Sequence, residues 1–126
     1  MQDDLKNEND YILIIDDEMD ICFMLGNLLK QKLFNIVAAH TLREANVFIK
    51  QKKPRLVFLD NNLPDGKGID FLPLLKKENP IIKVVMITAY DTSFDEQVAF
   101  SKGVDGFIGK PFTRQKIFAT LDKLLF

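Results

Sequence analysis

The residues of this chain with the greatest chemical capacity are scattered in sequence but share one setting. Asp16-Asp17, Asp60, Thr88-Ala89 and Lys110-Pro111 each follow a short apolar run: Tyr11–Ile15, Leu56–Leu59, Val84–Ile87 and Gly106–Ile108 respectively. As strands of one parallel sheet, those runs would bring the polar residues to its carboxyl edge, where open α/β sheets bind their ligands. Three carboxylates held close together repel one another and raise each other's pKa values unless a cation intervenes. With Lys110 the cluster carries a net charge of −2, which one divalent ion would neutralise. Hard oxygen donors and few carboxylates suit Mg²⁺, which keeps several waters of its own.

The intervening segments have the pattern needed to position these strand ends. A helix through Ile21, Leu25, Leu28 and Leu29 follows the first strand, Asn35–Ala39 is a second strand, and Leu42, Ala45, Phe48 and Ile49 mark one face of a second helix. The turn-rich stretch from Asp60 to Gly68 reads as a loop leading into a helix through Phe71 and Leu75. Pro73 falls inside that helix. Past the first turn a proline costs a hydrogen bond, so the pattern predicts a late start near Asp70 or a kink. A fourth helix over 93–101 turns Phe94, Val98 and Ala99 inward and ends at Gly103; the last, from Thr113, has Ile117, Leu121 and Leu124 as its stripe. Five strands alternating with five helices imply a doubly wound α/β domain, a parallel sheet covered on both faces.

Composition bounds the function classes. Of 126 residues, 17 are basic and 18 acidic, without the basic excess that a nucleic-acid-binding domain normally shows. No apolar run approaches the ~20 residues that a membrane-spanning helix requires, and the polar, acidic start has no signal-peptide core. Residues 1–9 read as a disordered leader and 10–126 as one domain. The single Cys22 cannot form an internal disulfide, which favours a reducing, cytoplasmic home. With Ile21, Phe23 and Leu25 around it, Cys22 reads as a small buried hydrophobe. His40, the one histidine, reads as a surface residue, and the eleven phenylalanines mostly as core, with Phe112 and Phe126 left as interface candidates.

Taken singly, each polar residue has an ordinary explanation. Asp17 or Glu18 could cap a helix, Asp60 could open a turn before Asn61-Asn62, and Lys110 could be a solvated lysine. Jointly these explanations require four strand ends to be polar by accident. The runs Ile-Ile-Asp-Asp-Glu, Leu-Val-Phe-Leu-Asp-Asn-Asn-Leu-Pro-Asp-Gly-Lys-Gly, Met-Ile-Thr-Ala and Gly-Lys-Pro-Phe, in this order and spacing, resemble the response regulator receiver domain, the phosphoacceptor module of two-component signalling. The resemblance spans about residues 10–126. It implies a flavodoxin-like five-stranded parallel sheet of order 2-1-3-4-5, carried over from the family.

The resemblance also implies roles. Asp60 is the expected nucleophile, forming an acyl phosphate with a phosphoryl group from a sensor histidine kinase or a histidine phosphotransfer protein. Asp17, Asp60 and the Asn62 backbone carbonyl are expected to hold Mg²⁺, with Asp16 acting through a coordinated water. Lys110, the Thr88 hydroxyl and the Ala89 amide are expected to receive the phosphoryl oxygens. Lys110-Pro111 is expected to be cis. Thr88 and Phe107 are the expected switch, reporting through the fourth helix, fifth strand and fifth helix to an output domain or downstream protein, with a phosphorylation-dependent homodimer as a further partner state. Asn62 and Tyr90 are the residues expected to tune phosphoryl lifetime. The implied role is regulatory, with autophosphorylation from small donors and autodephosphorylation as its only catalysis, and without nucleic-acid or membrane binding.

Three rival readings fit less well. A haloacid dehalogenase-type phosphatase needs an acid two positions after the nucleophile, where this chain has Asn62, and also a cap domain. A flavodoxin-like electron carrier needs a phosphate-binding loop after the first strand, where Asp16-Asp17-Glu18 would repel phosphate. A module that works without phosphorylation should have lost pocket residues, and none is missing. Asn61, at a position usually apolar in the family, is expected to loosen packing beneath the loop.

Overall fold

A computed structural model describes residues 10–89 and 93–125, with the Phe94 side chain left aside. The expectations for residues 1–9, Tyr90, the Phe94 side chain and Phe126 fall outside these. In chain order the elements are β1 Tyr11–Ile15, α1 Met19–Gln31, β2 Asn35–Ala39, α2 Leu42–Gln51, β3 Leu56–Leu59, β4 Asn62–Leu63, β5 Gly66–Lys67, α3 Gly68–Glu78, β6 Lys83–Thr88, α4 Ser93–Ser101, β7 Gly106–Gly109 and α5 Arg114–Leu125. The main sheet is parallel throughout, in the order β2-β1-β3-β6-β7. Counting its five strands along the chain, this is 2-1-3-4-5.

The apolar runs of the central strands are buried on both sides because side chains alternate between two cores. Leu13, Ile15, Val57, Leu59, Val84 and Met86 meet residues of α2, α3 and α4, among them Ala45, Ile49, Leu72, Leu75 and Ala99. Ile12, Ile14, Leu56, Phe58, Val85 and Ile87 meet α1 and α5 through Leu25, Leu29, Ile117, Leu121 and Leu125. Burying each such side chain stabilises the fold by about 1.5–3 kcal/mol before entropy is counted.

Several expectations are corrected. The stretch after Asp60 is not an open loop, because β4 and β5 pair as a small antiparallel hairpin within it. α3 starts at Gly68, not near Asp70, and runs through Pro73. In α5 the third buried position is Leu125; Leu124 is only partly buried. Phe23 is 70% exposed and fills no core, and Met19 and Met24 on the same helix are also exposed.

Candidate functional site

The carboxyl edge of the sheet assembles the strand-end residues. β1 delivers Asp16 and Asp17, and β3, beside it in the sheet, delivers Asp60. Asp60 N donates to Ile15 O at 2.9 Å, a bond that carries the ladder one residue past β3 and fixes where the carboxylate emerges. Asp16 is fully buried, Asp60 is 4% exposed, and Asp17 opens to solvent. Each offers a carboxylate oxygen within 4.8 Å of the others. The fully buried Asp16 Oδ2 accepts no aligned hydrogen bond; it faces the Lys110 ammonium at 2.8 Å. Hard oxygens at this spacing, one of them fully buried against a single ammonium, fit a divalent cation such as Mg²⁺.

The electrostatics agree with that fit. Burial, together with the neighbouring Asp16 charge, pushes the Asp60 carboxyl up to about 6 against the pull of Lys110. Burial alone would lower Lys110, but its bonds to Asp16 and Glu18 and the Asp16 and Asp60 charges outweigh it and hold the ammonium above its ordinary value. Lys110 Nζ lies 2.7 Å from Glu18 Oε2 and 3.5 Å from Asp60 Oδ1. The lysine therefore engages Asp16 and Glu18 more closely than Asp60. Glu18, weighed from the sequence only as a helix cap, is a fourth carboxylate of the site; with it the net charge is −3, and a divalent ion would leave −1. Asp17 and Glu18 do not cap α1 with their side chains. Asp16 Oδ1 instead accepts from Glu18 N at 2.9 Å and shapes the turn into that helix.

On the other side of Asp60, Thr88 ends β6 and is 2% exposed, while Ala89 beyond it is exposed. Register pairs Thr88 with Gly109 and Met86 with Phe107, so Thr88 and Phe107 are diagonal neighbours facing α4. Between them opens a cavity of about 350 Å³ that Asn62, Asp95 and Val98 also line. Phe107 is half-buried at its edge. Lys110-Pro111 is cis. The Asn62 amide oxygen accepts from Lys67 Nζ at 2.7 Å, and no acid stands two residues beyond Asp60.

Asn61 and His40 are both placed otherwise than expected. Asn61 does not loosen the loop: its Oδ1 accepts from Ile69 N at 2.9 Å and its carbonyl from Gly68 N at 2.9 Å, satisfying amides at the start of α3. Gly68 is required there, since a Cβ would collide with the Asp60 carbonyl oxygen. His40 is half-buried, its Nδ1 3.0 Å from the Asp16 carbonyl and its backbone amide donating to Glu44 at 2.7 Å. Cys22 lies against the same carbonyl, Sγ to O 3.3 Å, and burial with the Asp16 charge pushes its thiol up to about 11.

Comparison with known proteins gives one answer. The family model described as "Response regulator receiver domain" matches residues 12–122. The chain is 32% identical over 114 residues to the probable transcriptional regulatory protein TcrX of Mycobacterium tuberculosis, covering 90% of this chain and 49% of that protein. It is 34% identical over 116 residues to the phosphate regulon transcriptional regulatory protein PhoB of Escherichia coli, covering 90% and 51%. The chain thus spans about half the length of these two relatives. The crystal structure of the NtrX receiver domain from Brucella abortus superposes with a TM-score of 0.85 at 31% identity, covering 90% of this chain and 97% of that one. The chain therefore belongs to the response regulator receiver domains of two-component signalling.

Proposed function

We propose that Asp60 is the phosphoacceptor and that its modification is reported through Thr88 and Phe107 to the face of α4, β7 and α5. The observation that carries this reading is the convergence of a nearly buried Asp60 with Asp16, Asp17 and Lys110 at one strand edge. An Asp60 carboxylate oxygen attacks phosphorus of a phosphohistidine on a sensor kinase or phosphotransfer protein. The new O–P bond forms as the P–N bond breaks, and the imidazole leaves with a proton from solvent. Asp17, Asp60 and the Asn62 carbonyl would hold Mg²⁺, with Asp16 acting through water. Bound there, the ion supplies positive charge against the transferring phosphoryl oxygens.

Lys110, already within 3.5 Å of Asp60, then turns from Glu18 toward a phosphoryl oxygen. The Thr88 hydroxyl and Ala89 amide donate to the remaining ones. The added negative charge and its acceptor oxygens draw Thr88 toward Asp60, and Phe107 moves into the neighbouring cavity. The altered face serves an output domain, a downstream partner or a second copy of the chain. Asn62, and Tyr90 beyond the described residues, would set how long the phosphoryl group survives.

Acetyl phosphate with Mg²⁺ should add one base-labile phosphoryl group, seen by intact-mass spectrometry and absent from Asp60→Asn. Labelling that persists in the variant, or that proceeds equally in EDTA, defeats the assignment. Thr88→Ala should still accept the group yet leave the chemical shifts of residues 104–120 largely unmoved on adding beryllofluoride; full wild-type shifts would separate Thr88 from the switch.

A further inference from the structure

We infer that Asp65 is a positioning residue for the metal site, acting as a clamp between the hairpin that follows Asp60 and the start of α2. Asp65 is exposed at the tip of the β4–β5 hairpin, in Leu63-Pro64-Asp65-Gly66, and lies three residues from Asn62. Its two carboxylate oxygens are both engaged away from the pocket. Oδ1 accepts from Leu42 N at 2.9 Å and Oδ2 from Arg43 N at 3.0 Å. These are amides of the first turn of α2, which have no partner within the helix and lie at the positive end of its dipole.

The helix does not depend on this contact for its own cap. Thr41 Oγ1 accepts from Glu44 N at 3.0 Å and is the residue that caps α2 from within its own segment. Asp65 adds a cap from 22 and 23 residues away, so what it fixes is the place of the hairpin. Gly66 closes the contact: its φ of +153° favours glycine, and a Cβ there would stand 3.1 Å from Leu42 Cδ1.

At its other end the same segment is tied to α3 by the Asn61 carbonyl and side chain, and Gly68 presses on the Asp60 carbonyl. The backbone from Asp60 to Ile69 is therefore held on two helices, and Asn62 sits between the two anchors, paired with Lys67. A carbonyl serving an octahedral ion must be placed to within a few tenths of an ångström. Releasing the Asp65 anchor leaves Asn62 tethered on one side only, and the ion must then pay to order it.

This inference rests on the metal assignment above, and its test separates the two. Mg²⁺ titrations followed by amide chemical shifts should show Asp65→Ala binding about three- to tenfold more weakly than wild type. Asp65→Asn, whose amide oxygen can keep one of the two bonds, should recover part of the loss. Exchange of the Leu42 and Arg43 amides should slow when Mg²⁺ binds the wild type and lose that response in Asp65→Ala. Thr41→Ala is the structural control, since it weakens the same helix end without touching the hairpin; it should lower thermal stability but leave Mg²⁺ affinity within about 1.5-fold. Unchanged affinity in Asp65→Ala, or an equal loss in Thr41→Ala, overturns the clamp while leaving the metal site standing. A wild type that binds no Mg²⁺ overturns both.

Discussion

Replacing Asp60 by Asn should stabilise the metal-free protein at neutral pH. The Asp60 carboxyl is 4% exposed and is raised from 3.8 to about 6, by burial first and by the Asp16 charge second. Because its folded pKa lies above its unfolded one, the folded state binds more protons between about pH 4 and pH 6. Stability therefore falls as pH rises through that window and stays low above it. At 1.36 kcal/mol per unit the shift corresponds to about 3 kcal/mol; allowing for the lost contact with Lys110, about 2 kcal/mol should be recovered by the neutral amide. For a domain of this size that is roughly 8 °C in Tm. The chain has no tryptophan, so urea unfolding is best followed by far-ultraviolet circular dichroism, in EDTA. The variant's advantage should be full at pH 7.5, reduced at pH 5 and nearly gone at pH 4. Saturating Mg²⁺ should narrow it, since the ion stabilises the wild type by binding its folded state and the variant lacks one carboxylate ligand. A variant no more stable than wild type at pH 7.5 in EDTA, or a gap that ignores pH, would refute the claim that the cluster is held at an electrostatic cost.

Three further outcomes can be checked separately. Gly68→Ala should destabilise the fold by about 2 kcal/mol and weaken Mg²⁺ binding, because the new methyl group can be relieved only by moving the Asp60 backbone; undiminished Mg²⁺ affinity by calorimetry would speak against that coupling. Cys22, with its thiol pushed up to about 11, should react with iodoacetamide at pH 7.5 about a hundredfold more slowly than an ordinary thiol near 9, and a rate equal to that of glutathione would contradict its placement. Leu33 has a φ of +66° at the end of α1 and is 76% exposed. Leu33→Gly should therefore raise stability by roughly 0.5–1 kcal/mol in urea titrations, and a loss of stability would show that the leucine makes a contact worth more than its strain.

Much of the fold was legible because its strands announce themselves locally. Tyr11–Ile15 and Leu56–Leu59 are short apolar runs bounded by polar residues, and in a sheet covered on both faces such runs can only be central strands. Strand ends follow directly, so local pattern alone places Asp16, Asp17, Asp60, Thr88 and Lys110 on one edge. Side-chain destinations across the fold were not legible in the same way. Nothing near Glu18 in sequence says that it will meet Lys110, nor near Asp65 that it will cap α2, nor that His40 will lean on the Asp16 carbonyl. Asn61 looked disruptive because an amide in a loop has no visible partner until the start of α3 folds back over it. Phe23 and Leu124 were misplaced for a related reason. Helical spacing says which residues share a face, but which edge of that face is covered depends on the neighbouring elements. The sequence alone determined the long strands and helices, their succession along the chain and the residue types at the sheet edge, because those depend on local periodicity and residue type, but not the β4–β5 hairpin. The tertiary structure decided which carboxylate holds the lysine and what anchors the hairpin, because hydrogen bonds and ion pairs act over a few ångströms between groups that only the folded chain brings together.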